Sequence, residues 1–144
     1  MSNAPAKALL TVAGVVSAAK VGEWLTTSKH DRLVKKTAKG ISRKAPDATL
    51  QVDHTVDAGE GQPDTIGGFR PDLVVRDFPR FFAVEVETKS SLDTHASKQL
   101  EVFASKRNYT AVLVVPSSTI PAAEEFVENR VDADVRVATP SDAV

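Results

Sequence analysis

The twenty residues from Arg70 to Lys89 read RPDLVVRDFPRFFAVEVETK. Leu73-Val-Val75 is an apolar run of strand type, and Asp77-Phe-Pro-Arg80 has the composition of a turn. The alternation that follows predicts a strand over Phe81–Lys89. Phe82, Val84 and Val86 then share one face, with Phe81, Ala83, Glu85, Glu87 and Lys89 on the other. Two strands around a short turn pair antiparallel, which could bring Asp72 beside Glu87. Ionisable groups on a covered face are costly without partners. A helix is predicted next and must pack on the sheet, so part of that acidic face is expected to be covered.

Working outward, Leu50, Val52 and Val56 alternate with polar residues in a strand over Ala48–Val56. The stretch 57–68 holds four glycines and Pro63 and reads as a loop. Before it, the first 40 residues carry a helical apolar stripe, with a break at Thr26-Thr27-Ser28 and a stop at Gly40. After it, Leu92–Arg107 is a helix with Ser91 or Asp93 as N-cap. Ala111–Val115 is a continuous apolar run, the pattern of a strand buried on both faces. Pro121–Arg130 is a short helix and Val135–Val137 a last strand. The order αβββαβαβ predicts an α/β domain with a mixed central sheet flanked by helices.

A chain of 144 residues has the size of one domain and buries roughly two-thirds of its unfolded surface. With 42% apolar and 26% charged residues, disorder and coiled coil are both excluded as descriptions of the whole. The absence of cysteine removes disulfide scaffolds, thiolate zinc sites, iron–sulfur clusters and thiol nucleophiles. His30, His54 and His95 lack the paired spacing of zinc ligands, and no phosphate-cradling or nucleophile-elbow glycine motif is present. The longest apolar stretch, Leu9–Ala19, has eleven residues, well short of the about twenty a membrane span needs. It has the size of a signal-peptide core, and a helix packed on the domain explains it equally well. A cytoplasmic protein with no membrane partner is expected.

The net charge of −1 hides an asymmetry. Residues 1–44 carry nine Lys and Arg against two acids, so the rest of the chain is acidic. A basic helical arm beside an acidic site suits a polyanion such as DNA, with Lys35, Lys36 and Lys39 as candidate phosphate contacts. A plain solvated helix face is the other reading. Two carboxylates converging at strand ends offer hard oxygen ligands for Mg²⁺ or Mn²⁺. Lys89, one side-chain step beyond Glu87, could orient a metal-bound water or stabilise charge on a phosphate. If the acidic strand is merely surface, Glu85, Glu87 and Lys89 should all be exposed.

Pro71-Asp72 followed by Glu87-Thr-Lys89 resembles the signature of the PD-(D/E)XK nuclease superfamily. Of the three Pro-Asp pairs in the chain, only this one opens an apolar strand run. The resemblance covers residues 20–116, with a helix and strand over 117–140 appended. It implies a restriction-endonuclease-like αβββαβ core and a Mg²⁺- or Mn²⁺-dependent endonuclease acting on DNA. Asp72, Glu87 and Lys89 would be catalytic, with Asp72 and Glu87 holding the metal. Glu23 on the first helix would complete the metal site, as in junction resolvases of this superfamily. Gln99 matches a glutamine found on the following helix in some branches. The aromatic four residues on is Phe103, where those branches carry tyrosine. His95 shares the face of Gln99, so both are candidate substrate contacts. Glu85 could be an additional ligand, support the ligands or pair with Arg70 or Arg76. Relatives of this size resemble Holliday junction resolvases, which implies structure-selective cutting and a homodimer. The alternative is a non-catalytic nucleic-acid-binding or interaction module on the same fold.

Overall fold

β-Branched alternation and short turns give the sheet, and the lengths of the connections give its directions. In the computed structural model, which describes residues 28–53 and 61–144, the order is α1 (Lys29–Lys44), β1 (Thr49–Val52), β2 (Leu73–Asp77), β3 (Arg80–Val86), α2 (Thr94–Ser105), β4 (Tyr109–Val114), α3 (Ile120–Arg130) and β5 (Val135–Ala138). Single 3₁₀ turns follow β3 (Lys89–Ser91) and β4 (Ser117–Thr119). The chain is thus α/β, with a five-stranded mixed sheet in the order β1-β2-β3-β4-β5. Phe78 and Pro79 alone join β2 to β3, which forces an antiparallel pair with Leu73 opposite Val84. The connections β3-α2-β4 and β4-α3-β5 each carry a helix, and both strand pairs are parallel. Such crossovers are right-handed almost without exception. Two that step the same way put both helices on one face and leave the other to α1.

The core is therefore two apolar layers. Leu73, Val75, Phe82, Val84, Val112 and Val114 meet Val34, Ala38 and Ile41 of α1. Val74, Ala83, Ala111 and Leu113 meet Ala96, Leu100 and Phe103 of α2 and Ala123 and Phe126 of α3. Residues Ala111 to Val115 are no more than 1% exposed, so β4 is covered on both sides, as its unbroken apolar run predicts. Each such Val, Leu or Phe contributes about 1.5–3 kcal/mol by leaving water. Among the described residues no helix is long and apolar enough to cross a membrane.

Of the element boundaries that differ from the sequence reading, three have a visible cause. Helix α1 runs through Gly40 to Lys44 and stops at Ala45, because the following Pro46 disfavours helical backbone there. Gly40 is a packing residue: a Cβ on it would lie 2.3 Å from the Pro140 carbonyl oxygen. Strand β3 ends at Val86 rather than Lys89, since its partner β4 ends at Val114. The Glu87 N–H makes a last bond to the Val114 carbonyl (2.9 Å), and the Thr88 N–H turns to the Ser91 hydroxyl (2.9 Å). Helix α2 starts after Asp93, whose side chain caps the Ala96 N–H, and leaves Leu92 outside. Glu23, His54 and Val56 lie outside the described residues.

Candidate active site

Asp72 enters the sheet from a tight turn. Gly67 and Gly68 adopt positive φ (59° and 89°), and Ile66 and Phe69 exchange both backbone bonds across them (2.7 and 3.1 Å). That is the two-residue geometry glycine permits. The chain then delivers Pro71-Asp72 to the start of β2. The register that sets Leu73 opposite Val84 brings Asp72 across from Glu85, one pleat earlier than the expected neighbour Glu87. The Asp72 N–H donates to Glu85 Oε1 (3.3 Å), and Asp72 Oδ2 accepts from the Val86 N–H (2.8 Å). Glu85 and Glu87 are hydrogen-bonded to each other through their side chains. Asp72, Glu85 and Glu87 are only 9%, 3% and 9% exposed. This sets aside the reading in which the acidic strand is simple surface.

Crowding three carboxylates out of water has a predictable effect. Burial pushes the Glu85 carboxyl well above its ordinary range, and the charges of Asp72 and Glu87 push the same way. Burial also raises Glu87. The Ser91 hydroxyl, the hydrogen bond from Glu85 and the charge of His30 pull it back. Glu85 therefore favours its protonated form more strongly than Glu87 does. The balancing cation is His30, in the first turn of α1. Its Nε2 lies 3.2 Å from Asp72 Oδ2 and its Nδ1 3.3 Å from Asp31 Oδ1. The hydrogen bond to Asp72 outweighs burial and lifts His30 to about 9, so both ring nitrogens donate at neutral pH.

The other expected site residues are dispersed. Lys89 lies on the 3₁₀ turn beyond β3 and is exposed. Among the described residues it makes no ion pair with Asp72, Glu85 or Glu87. It lines a cleft of about 410 Å³ with Lys29, Arg32 and Lys36 of α1, Thr88, and Pro116 and Thr119 beyond β4. Lys35 and Lys39 are exposed on α1 outside that cleft. On α2, His95 is exposed and turns its ring edge to Phe69 (5.8 Å), and Gln99 is half-buried. Neither bonds to the carboxylates. The arginines expected for Glu85 go elsewhere: Arg70 donates to the Pro63 carbonyl and Arg76 to Gln51. His30 is the participant that spacing does not reveal. Its only signal is its place at the start of the helix that precedes the three strands.

The donor set at the cluster is carboxylate oxygen. Val86 and His30 both bond Asp72 Oδ2, so Asp72 Oδ1 and Glu87 are the oxygens on offer to a cation. Among the described residues, no group of three or more His, Cys, Asp or Glu is arranged to hold a metal ion. Magnesium does not require one, since it commonly takes one or two carboxylates and completes its shell with water and substrate phosphate. The donor chemistry, two carboxylates, is that of a hard divalent ion. No family model, curated protein or solved structure matches the chain.

Proposed function

We propose that the chain is a Mg²⁺- or Mn²⁺-dependent endonuclease that hydrolyses DNA phosphodiester bonds on a restriction-endonuclease-like αβββαβ core. The observation that carries this is the convergence of Asp72, Glu85 and Glu87, almost fully buried, where β2 begins and β3 ends. A divalent ion held by Asp72 and Glu87 would polarise a phosphodiester oxygen and lower the pKa of a bound water. The remaining roles fall to the chain itself. The Val86 N–H and the His30 imidazolium fix the Asp72 carboxylate. Burial raises the Glu85 carboxyl well above its ordinary range, while the Ser91 hydroxyl and the His30 charge oppose the same rise at Glu87. Lys89, two residues on, brings positive charge to the substrate's phosphates. Cutting selected by DNA structure and pairing of two copies belong to the same proposal; the second is read from the mass in solution.

One observation favours a second reading, a nucleic-acid-binding module without turnover: Lys89 lines the basic cleft and, among the described residues, makes no ion pair with the carboxylates. Incubation with Mn²⁺ or Mg²⁺ and labelled junction, flap, single-stranded and duplex DNA separates the two. The endonuclease cuts at least one substrate, and Glu87→Ala abolishes the cut. A wild-type chain that binds these DNAs, takes up neither ion in calorimetry and cuts none of them is the binding module.

A further inference from the structure

We infer that the cleft between the first half of α1 and the turns after β3 and β4 is the seat of a nucleic-acid backbone, with Lys29, Arg32, Lys36 and Lys89 bound to successive phosphates. This rests on the proposed action on DNA but not on catalysis. Lys29, Arg32 and Lys36 recur at helical spacing on α1, so they share a stripe and repel one another. Lys89 adds a fourth cation from a separate segment. Among the described residues no acid pairs with Lys29, Lys36 or Lys89. Helix α1 as a whole carries seven Lys and Arg against one acid, Asp31, in a chain whose net charge is −1. A concentrated cationic groove on an otherwise acidic molecule complements a polyanion and orients it. The hydroxyl-bearing Thr88 and Thr119 line the same cleft, and Leu33 and Pro116 are its apolar members, so it suits a charged, hydrogen-bonding occupant.

Position supports the same occupant. Thr88 and Lys89 follow Glu87 directly in the chain, and His30, flanked by Lys29 and Asp31, touches Asp72. A strand seated in the cleft therefore runs past the carboxylates. A second cleft of about 550 Å³, lined by Arg76, Lys106 and Arg107, also holds Asp64 and lies toward the opposite ends of β2 and β3. It has no such link. Lys89 thereby becomes a residue that holds the substrate, in contrast to a lysine acting only at the reacting phosphate.

The test is binding of a labelled DNA duplex to the full chain in EDTA, followed by anisotropy between about 50 and 200 mM salt. Lys36→Ala and Lys89→Ala should each weaken binding several-fold and lower the slope of log affinity against log salt by about one. Lys36→Arg should restore it, and Lys98→Ala on α2 should change nothing. Unaltered affinity and slope in both cleft variants would overturn the inference. So would a Lys89→Ala chain that binds normally but no longer cuts, or displacement of the DNA by poly-glutamate at equal charge. Lower slopes in a protein that cuts nothing leave the cleft standing while the endonuclease reading falls.

Discussion

The carboxylate cluster and the basic cleft meet at Thr88 and differ in what holds their charges. Up to Glu87 the backbone is fixed by sheet pairing, and the acids are turned inward and nearly dry. From Thr88 onward the chain turns out of the sheet, and its cations stand in water. Buried like charges are costly and survive only where the backbone dictates their positions. Exposed cations cost little singly, and salt screens them within about 10 Å at 0.1 M. Geometry is thus the property of the cluster and total charge that of the cleft. Acidity should act on the first and ionic strength on the second.

The largest effect expected from breaking this division is at Asp72. Asp72→Asn keeps an acceptor for the Val86 N–H and removes the charge of the proposed ligand. Cleavage in Mn²⁺ should fall by about 100-fold or more while duplex binding in EDTA stays near wild type. Asp72→Ala should in addition lose about 1–3 kcal/mol in chemical denaturation, since it strands the Val86 N–H inside the protein. An Asp72→Asn protein that still cuts would take the chemistry away from the cluster.

A smaller effect, of opposite sign, is expected at Glu85. Its carboxyl is raised above the ordinary 4.5 in the folded chain, so the folded state holds the proton more tightly than the unfolded one. That stabilisation is complete below pH 4.5 and is lost as pH climbs through the raised value. Glu85→Gln keeps the acceptor for the Asp72 N–H and a donor for Glu87, and cannot ionise. It should be more stable than wild type by roughly 1 kcal/mol at pH 8 and show little advantage at pH 4.5. Denaturation midpoints at the two pH values measure this, and equal gains at both would mean that repulsion inside the cluster is not what Glu85 suffers.

The same division explains how much of the molecule was legible in its sequence. Inside the sheet, side chains obey a strict period of two, so the apolar face of β3 and the two-sided burial of β4 follow from alternation alone. The Pro-Asp pair and the two glutamates could be placed on one site for the same reason. The period fails where pairing stops, and pairing stops where β4 has no further residue to offer, which the run of β3 cannot foretell. Lys89, read as the next step of the pleat, is therefore aimed into the cleft. His30 was hidden for a related reason: its contact with Asp72 depends on how α1 docks across the sheet. Gly40 looked like a helix stop because its close approach to Pro140 is a tertiary fact.

The smallest effect expected is at His30, and it tests whether the cluster extends to α1. Pairing with Asp72 raises its pKa from 6.5 to about 9. The imidazolium therefore stabilises the fold fully below pH 6.5, and that contribution disappears as pH rises through 9. The ring is 38% exposed, so solvent screens the pair, and the loss should stay below about 1 kcal/mol and shrink in molar salt. His30→Gln cannot titrate. Its denaturation midpoint should fall less than that of wild type between pH 6.5 and 9, and the difference between the two proteins should close at the upper end. Because Glu85 and Glu87 also weaken the fold as pH rises, the double variant with Glu85→Gln isolates the histidine. A slope in that window unchanged by His30→Gln would assign all of it to the glutamates and leave α1 joined to the site through its cleft lysines alone.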